Sequence, residues 1–457
     1  MAKQRFDYDL IVIGSGAGGS VAADIIARAG KRVAIVESEQ LGGECPNYGD
    51  IPSKALLHAA NIYDSGRNSK KFGLRVTAMG YNYPSIRAWK DLAIKRTGTL
   101  ESERYYKSIG IQLFRGSAFF LSPHEITVNR RHLSAQNFLI ATGSRLDLPG
   151  IPGLETIDYL TSRTILDLTR PPKSLFVLGG GATGCEFAEI FSTFGTKVTI
   201  ADIAPRLLPS EDEETSAVLE QFMKKERNTT LLTKAKVIAA TKDGSNVKLT
   251  YLRGGEQHIA KAERVLIATS KIPHTDLGLE NAGVDYSHKG IDVNEHLQTS
   301  AAHIYAAGDV LGHYMYTHVG VYESRVVANN ILRKSKVSPD YSAVPRVTYT
   351  TPEVASTGMS EADCLRRDLT IKKAIVPLNV ISRANVTDLR DGFCKVITDR
   401  SGMLLGGTVV GPHAGEIIHE LTLAINHGMT AAEVAGTLHA FPSWSEIVRL
   451  ACSKIKV

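Results

Sequence analysis

Two stretches of this chain follow one plan, and that plan restricts the fold more than any other feature. The first is YDLIVIGSGAGGSVAADIIARAGKRVAIVESE, from Tyr8; the second is SLFVLGGGATGCEFAEIFSTFGTKVTIADIAP, from Ser174. Each reads as an apolar strand, a Gly-rich turn, an amphipathic helix and a second apolar strand ending in an acid. Glu37 follows Gly14 by 23 residues (37 − 14), and Asp202 follows Gly179 by 23 (202 − 179). A lone GxGxxG is weak; one that follows a strand, opens a helix and ends on an acid at this distance is specific for dinucleotide binding. Each glycine has its own reason. Gly14 and Gly179 permit the tight turn, Gly16 and Gly181 let a pyrophosphate reach the backbone, and Gly19 and Gly184 let helix and strand pack closely. The helix N-terminus adds amide donors and a positive dipole. Glu37 and Asp202 are placed to bind ribose hydroxyls.

Two such sites call for two dinucleotides, with FAD at the first and a nicotinamide cofactor at the second. Asp202 favours NAD(H), because it would repel a 2′-phosphate. Arg206, four residues later, keeps NADP(H) as the less favoured alternative. The strand TSAAHIYAAGDV ends in Gly-Asp, and Asp309 there is the candidate for the ribityl chain of FAD. The stretch FLIATGSRLDLPGIPG reads as a strand running into a Pro/Gly linker, and from Tyr341 the strands and helices lack a phosphate turn.

At 457 residues the chain is long enough for two to four domains. Forty glycines and 43% hydrophobic residues suit a Gly-punctuated α/β protein. The net charge of +6 could suit an anionic small molecule or simply a solvated surface. Basic runs interleaved with aromatics are missing, which excludes nucleic acid as the expected partner. The N-terminus runs straight into a strand without a signal-peptide core, and no apolar stretch is long enough to span a bilayer. Five scattered cysteines are not a disulfide framework, so the expected location is the cytoplasm.

Seven motifs in order bring the chain to a family. They are GSGAGG, GGECPNYGDIPSK, ATG, the second Gly-rich turn, IYAAGD, VTYTTPEVASTG and LHAFPSWSE. Together they resemble the class I pyridine nucleotide–disulfide oxidoreductases, which include dihydrolipoamide dehydrogenase, mercuric reductase and the soluble transhydrogenase. The resemblance implies an α/β fold with two Rossmann-like dinucleotide-binding domains, for FAD and NAD, and a C-terminal α+β interface domain. It places the first part of the FAD domain at 1–150, the NAD(P) domain at 151–271, the second FAD and central part at 272–340 and the dimerisation domain at 341–457. It also implies a homodimer in which LHAFPSWSE reaches the partner's active site. By the same resemblance Lys54 pairs with Glu186 near the flavin, Gly43, Thr142 and Gly143 belong to the FAD site, and His318 falls where the backbone contacts the flavin ring.

The departures decide the chemistry. The family's redox segment carries two cysteines with four residues between them. Here the first is Cys45 and the second position is Asp50, which cannot form a sulfur–sulfur bond. In LHAFPSWSE the position of the base histidine is Phe441, which transfers no proton; Glu446 remains, without the imidazole it would orient. Ala182 and the pair Ser270 and Lys271 also differ from many relatives on the nicotinamide side. The soluble transhydrogenase loses the same two parts, and there electrons stop at the flavin. The expected activity is therefore an FAD-dependent NAD(P)H oxidoreductase that passes hydride from NADH to a small non-disulfide acceptor: a quinone, a dye, oxygen or a second nicotinamide nucleotide. One alternative is a thiol or metal reductase using Cys45 alone. Another is a nucleotide-binding flavoprotein without turnover. Two roles stand open for Asp50, tuning the flavin or filling space at a helix start. Cys45 would stay reactive if the helix start lowered its pKa.

Overall fold

The computed structural model describes residues 5–98 and 102–456. The chain forms two compact units, each assembled from three separated stretches. The first comprises the N-terminal segment through Pro52, Ala88–Asp147 and Ser270–Asp340. The second comprises Ser53–Arg87, Leu148–Thr269 and the segment from Tyr341 onward.

In the first unit the strand Tyr8–Ile13 is almost wholly apolar because it lies inside a parallel sheet covered on both faces. Leu10, Ile11 and Val12 have no exposed surface. The strand order is Gln112–Arg115, Val33–Glu37, Tyr8–Ile13, Arg131–Ile140, Glu125–Val128 and Ala118–Ser122, with Ile304–Ala306 also pairing to Arg131–Ile140. Pairing is parallel as far as Arg131–Ile140, with Leu10 opposite Val33 and Ile13 opposite Ile140, and antiparallel beyond it. Chain reversal after Ile13, Ile140 and Ala306 therefore happens side by side. Ala141 N–H donates to Ile13 O, and Ala307 N–H to Ile140 O. This brings the first Gly-rich turn, ATG and the Gly-Asp of IYAAGD to one sheet edge, where ligands of open α/β sheets bind. The helix Thr317–Leu332 lies against Ala17–Arg28 at close range, and Ser324 Oγ accepts from Ala22 N–H at 2.8 Å.

The second unit holds a parallel sheet in the order Thr230–Leu232, Lys197–Ala201, Ser174–Leu178 and Arg264–Ile267. An antiparallel meander follows over Ala235–Asp243, Asn246–Arg253 and Glu256–Ala262. A five-stranded antiparallel sheet has the order Arg346–Thr348, Glu353–Gly358, Leu404–Gly411, Phe393–Thr398 and Lys372–Pro377. Helices Ala414–Asn426 and Glu446–Ser453 contribute Leu421, Ile418, Ile447 and Val448 to its core. Every residue of Phe393–Thr398 is buried, including Lys395, whose side chain is 0% exposed. Its ammonium lies 2.9 Å from Asp212 and 3.2 Å from Glu214, and also contacts Glu361. The protein is an α/β fold with two Rossmann-like sheets and a separate C-terminal α+β sheet layer. No described helix is long and apolar enough to cross a membrane.

Candidate active site

The first Gly-rich turn is shaped by contacts that exclude side chains. Gly14 has φ +101°, and a Cβ there would meet Ala141 O at 2.2 Å. At Gly19 a Cβ would meet Gly14 O at 2.1 Å, which is the close helix–strand approach the spacing predicts. Gly16 differs: the nearest atom to its missing Cβ is Gly43 Cα, at 3.8 Å. The backbone is thus open where a pyrophosphate would approach. The helix Ala17–Arg28 begins there, and Gly16 gives it no side-chain cap, so its first amides remain as donors. Gly43 (φ +71°) lies over Gly16, and Gly42 N–H donates to Ser15 Oγ at 3.1 Å.

Glu37 does more than wait for a ribose. Its Oε2 accepts from Ser15 N–H at 2.9 Å and Ser15 Oγ at 2.6 Å, and its Oε1 from Glu39 N–H at 2.8 Å. The acid therefore fixes the turn, with lone pairs left for a hydroxyl. Asp309 accepts from Ser144 Oγ at 2.7 Å, and Thr142 Oγ1 donates to His274 O at 2.7 Å. His274 N–H in turn donates to Gly143 O at 2.9 Å. Ser144 is one residue past ATG, and nothing in the sequence ties it to Asp309, 165 residues on.

The second turn repeats the first. Gly179 has φ +110°, with Ala268 O 2.2 Å from its missing Cβ, and Gly184 stands 2.0 Å from Gly179 O in the same sense. Around the missing Cβ of Gly181 nothing lies within 4 Å, and the helix Ala182–Thr193 starts without a side-chain cap. Asp202 Oδ2 accepts from Gly180 N–H at 2.5 Å, and Oδ1 from Ala204 N–H at 2.7 Å. Arg206 turns its guanidinium onto backbone carbonyls, at 3.4 Å from Pro209 O and 3.1 Å from Glu211 O. Open backbone, uncapped helix amides and an acid at the strand end fit a dinucleotide at each turn.

In the first unit Cys45 and Asp50 meet. Cys45 lies in the short helix Glu44–Tyr48, and Asp50 opens the long helix Asp50–Arg67. Cys45 Sγ donates to Asp50 Oδ2 at 3.3 Å, and Thr317 Oγ1 donates to the same oxygen at 3.1 Å. Burial pushes the Cys45 thiol up to about 11. Thr317 opposes this, the Asp50 charge and hydrogen bond add to it, and the Asp50 amide opposes it least. The helix start does not make this a low-pKa cysteine. The other four cysteines are buried. Thr317 is a site residue that no motif marks; it adjoins His318, whose exposed ring stacks on Tyr316 at 5.5 Å.

In the second unit Lys54 Nζ donates to Glu186 Oε2 at 2.8 Å. Glu186 Oε1 accepts from Tyr349 N–H at 2.9 Å, and the Lys54 ammonium sits 4.8 Å from the Tyr349 ring centroid. Phe441 is 72% exposed. Glu446 Oε2 is buried without a hydrogen-bond partner, although Arg449 lies 3.6 Å from the other oxygen. The remaining histidine of LHAFPSWSE, His439, is turned inward, with Nε2 2.7 Å from Glu420 and Nδ1 2.9 Å from Thr437 O. It is committed to these partners and does not stand in for a base at position 441.

Comparison with known proteins agrees along the chain. Residues 8–324 match the family described as pyridine nucleotide-disulphide oxidoreductase, and residues 344–452 match the dimerisation domain of that family. A dihydrolipoyl dehydrogenase from Thermus scotoductus is 38% identical over 445 residues, covering 96% of this chain and 95% of the relative. A mercuric reductase from Staphylococcus aureus is 33% identical over 451 residues, covering 97% of this chain and 82% of the relative. Among solved structures, the HOCl-induced flavoprotein disulfide reductase RclA from Escherichia coli superposes with a TM-score of 0.87 at 27% identity, over 98% of this chain and 100% of that one. LpdA from Mycobacterium tuberculosis gives 0.88 at 26%, over 98% and 100%. With two Gly-rich turns of matching geometry and these relatives, the chain belongs to the class I pyridine nucleotide-disulfide oxidoreductases, a family of FAD-dependent enzymes that use NAD(P)H.

Proposed function

We propose that this protein passes hydride from NADH to FAD and onward to a small non-disulfide acceptor. The observation that carries the reading is at position 50, where a carboxylate stands and takes the hydrogen bond of the Cys45 thiol. A carboxylate stores no electrons, and a protonated thiol does not attack a disulfide. The second missing part points the same way, since Phe441 transfers no proton and Glu446 keeps an orphaned oxygen.

Bound flavin supplies the hydride chemistry. The chain's own groups bind and orient. FAD is assigned to 1–150 and 272–340, with the amides after Gly16 on the pyrophosphate, Glu37 on the ribose and Asp309 on the ribityl chain. The nicotinamide nucleotide is assigned to 151–271, with Gly181 and Asp202 in the matching roles. Lys54 and Glu186 form the ion pair expected beside the flavin, and Gly43, Thr142, Gly143 and His318 line its site. Residues 341–457 are assigned to the contact between two copies of the chain.

The test is an anaerobic NADH titration of the purified yellow protein, followed by visible absorbance. Two electrons should bleach the flavin fully, without a long-wavelength thiolate–flavin band. A stable band that needs further electrons to clear, and that is lost in Cys45→Ser, would overturn the reading.

Preference for NADH follows from Asp202 and Arg206. An acid at this strand end would repel a 2′-phosphate, and the nearby guanidinium already gives Nη2 to two carbonyls. Asp202→Ala removes the acceptor of two backbone amides and of a ribose hydroxyl. Hydrogen bonds to a charged group are worth about 1.5–3 kcal/mol, so the KM for NADH should rise roughly 10- to 100-fold. The KM for NADPH should rise less, narrowing the preference. Steady-state rates with both nucleotides decide it, and an unchanged NADH/NADPH ratio would remove Asp202 from the selection.

A further inference from the structure

We propose that Asp50, anchored by Thr317, is the residue that determines where electron transfer ends, by holding Cys45 as a thiol and so keeping its sulfur out of the relay. The proposal deepens the reading that electrons stop at the flavin and rests on it for its functional meaning. It is tested on the sulfur alone.

The geometry is specific. One carboxylate oxygen, Asp50 Oδ2, receives both the Cys45 thiol at 3.3 Å and the Thr317 hydroxyl at 3.1 Å. Ionising Cys45 would set two anions in contact and strip that oxygen of the thiol donor. The carboxylate comes from the start of Asp50–Arg67 and the hydroxyl from the first turn of Thr317–Leu332, so two long helices fix the arrangement. Lys54, four residues after Asp50 in the sequence, gives its ammonium to Glu186 at 2.8 Å. Burial already disfavours the thiolate, and Asp50 deepens the effect, while Thr317 and the Asp50 amide act on the sulfur in the opposite sense. Replacing the second redox position by a small neutral residue would delete the disulfide and leave an ordinary thiol. Replacing it by an acid with its own anchor also silences the thiol that remains.

The experiment measures the rate of Cys45 alkylation by iodoacetamide in the FAD-loaded protein between pH 6.5 and 11, read by mass spectrometry of the Cys45 peptide. In that reaction the thiolate sulfur bonds to the reagent's methylene carbon, iodide leaves and the thiol proton goes to solvent. Cys45→Ser is the blank. Wild-type alkylation should still be climbing near pH 11. In Asp50→Asn the midpoint should fall by about one unit. That gives ten times more thiolate at pH 8, and with a nucleophilicity slope of about 0.4–0.5 per unit the rate should rise roughly three-fold. Thr317→Val, which keeps the carboxylate and removes only its anchor, should move the midpoint less than Asp50→Asn does. Acceleration in Thr317→Val as large as in Asp50→Asn would mean only a loosened loop and would overturn the proposal. So would an unchanged profile in Asp50→Asn, or a wild-type midpoint near 9. Should Asp50→Asn not fold, Asp50→Ser carries the same test, with the same fall expected. A Cys45 that titrates normally while two electrons still bleach the flavin would sink this proposal and leave the proposed function standing. A locked Cys45 with a four-electron titration would do the reverse.

Discussion

Asp50→Cys is expected to raise the electron capacity of the protein from two to four. The side chains at positions 45 and 50 already meet, with Cys45 Sγ 3.3 Å from Asp50 Oδ2. The turn between them is tight, since a Cβ on Gly49 would come within 3.1 Å of Cys45 Cα. A sulfur at position 50 therefore starts within bonding reach after a small side-chain movement. The same change removes the anion that disfavours the Cys45 thiolate, so both partners become competent for exchange. In an anaerobic NADH titration the variant should take a second pair of electrons and show a long-wavelength band that the wild type lacks. Turnover with an external disulfide should still be slow, because proton transfer to the leaving thiol needs a base and position 441 is phenylalanine. Adding Phe441→His should restore on the order of 10²–10⁴-fold in that turnover, the usual contribution of general acid–base catalysis. The added imidazole would also give Glu446 Oε2 a group to bind. If Asp50→Cys takes up only two electrons and retains two free thiols, the positions do not meet in solution. The loss of disulfide chemistry would then involve more than one atom type at one position.

What could be read from the sequence was whatever repeats or has local spacing. The two βαβ turns were legible because strand, turn, helix and acid lie within one stretch of about 30 residues, and each glycine has a steric reason that holds wherever the motif occurs. The substitutions at 50 and 441 were legible because both sit inside recognisable motifs. The partners of those residues were not. Thr317 bonds Asp50 across 267 residues and Ser144 bonds Asp309 across 165, and neither residue type is unusual at its place in the chain. The second use of Glu37 and Asp202, organising their own turns, was hidden for another reason: an acid at a strand end looks the same whether it holds an amide or a ribose. The reactivity of Cys45 was not legible because a helix start lowers a thiol pKa while burial and a carboxylate neighbour raise it, and burial of the sulfur is the largest effect.

Lys395 shows how far a buried charge can escape a reading of hydrophobic pattern, and it carries the largest stability effect expected here. In FCKVIT a lysine stands within a mostly apolar strand. The side chain is fully buried, with Asp212, Glu214 and Glu361 around its ammonium. Burial alone would lower its pKa, but its bonds to Glu361 and Asp212 more than offset that, and the net shift is upward. Glu361 is shifted downward: burial opposes the charge, and Lys373 and Lys395 outweigh it. A raised lysine stabilises the fold below its unfolded pKa and is lost as pH climbs through the folded value. A lowered glutamate stabilises above its unfolded pKa and is lost as pH falls through its own folded value. The cluster should therefore hold its full contribution between about pH 4.5 and 10.4. Lys395→Met keeps most of the volume and leaves three carboxylates facing one another, with Lys373 as a remaining partner of Glu361 at 2.7 Å. Removing one side of a buried ion pair costs about 3–5 kcal/mol. In the variant the carboxylates repel, their pKa values rise, and the sign of the acid limb reverses: stability should improve as pH falls from 7.5 to 4.5, where the wild type begins to lose it. Urea unfolding followed by tryptophan fluorescence reads the relevant region, since Trp444 packs against the C-terminal core. An equal deficit at both pH values would show that Lys395 acts by filling space, and a deficit under about 1 kcal/mol would show that the carboxylates find water or other cations when the ammonium is gone.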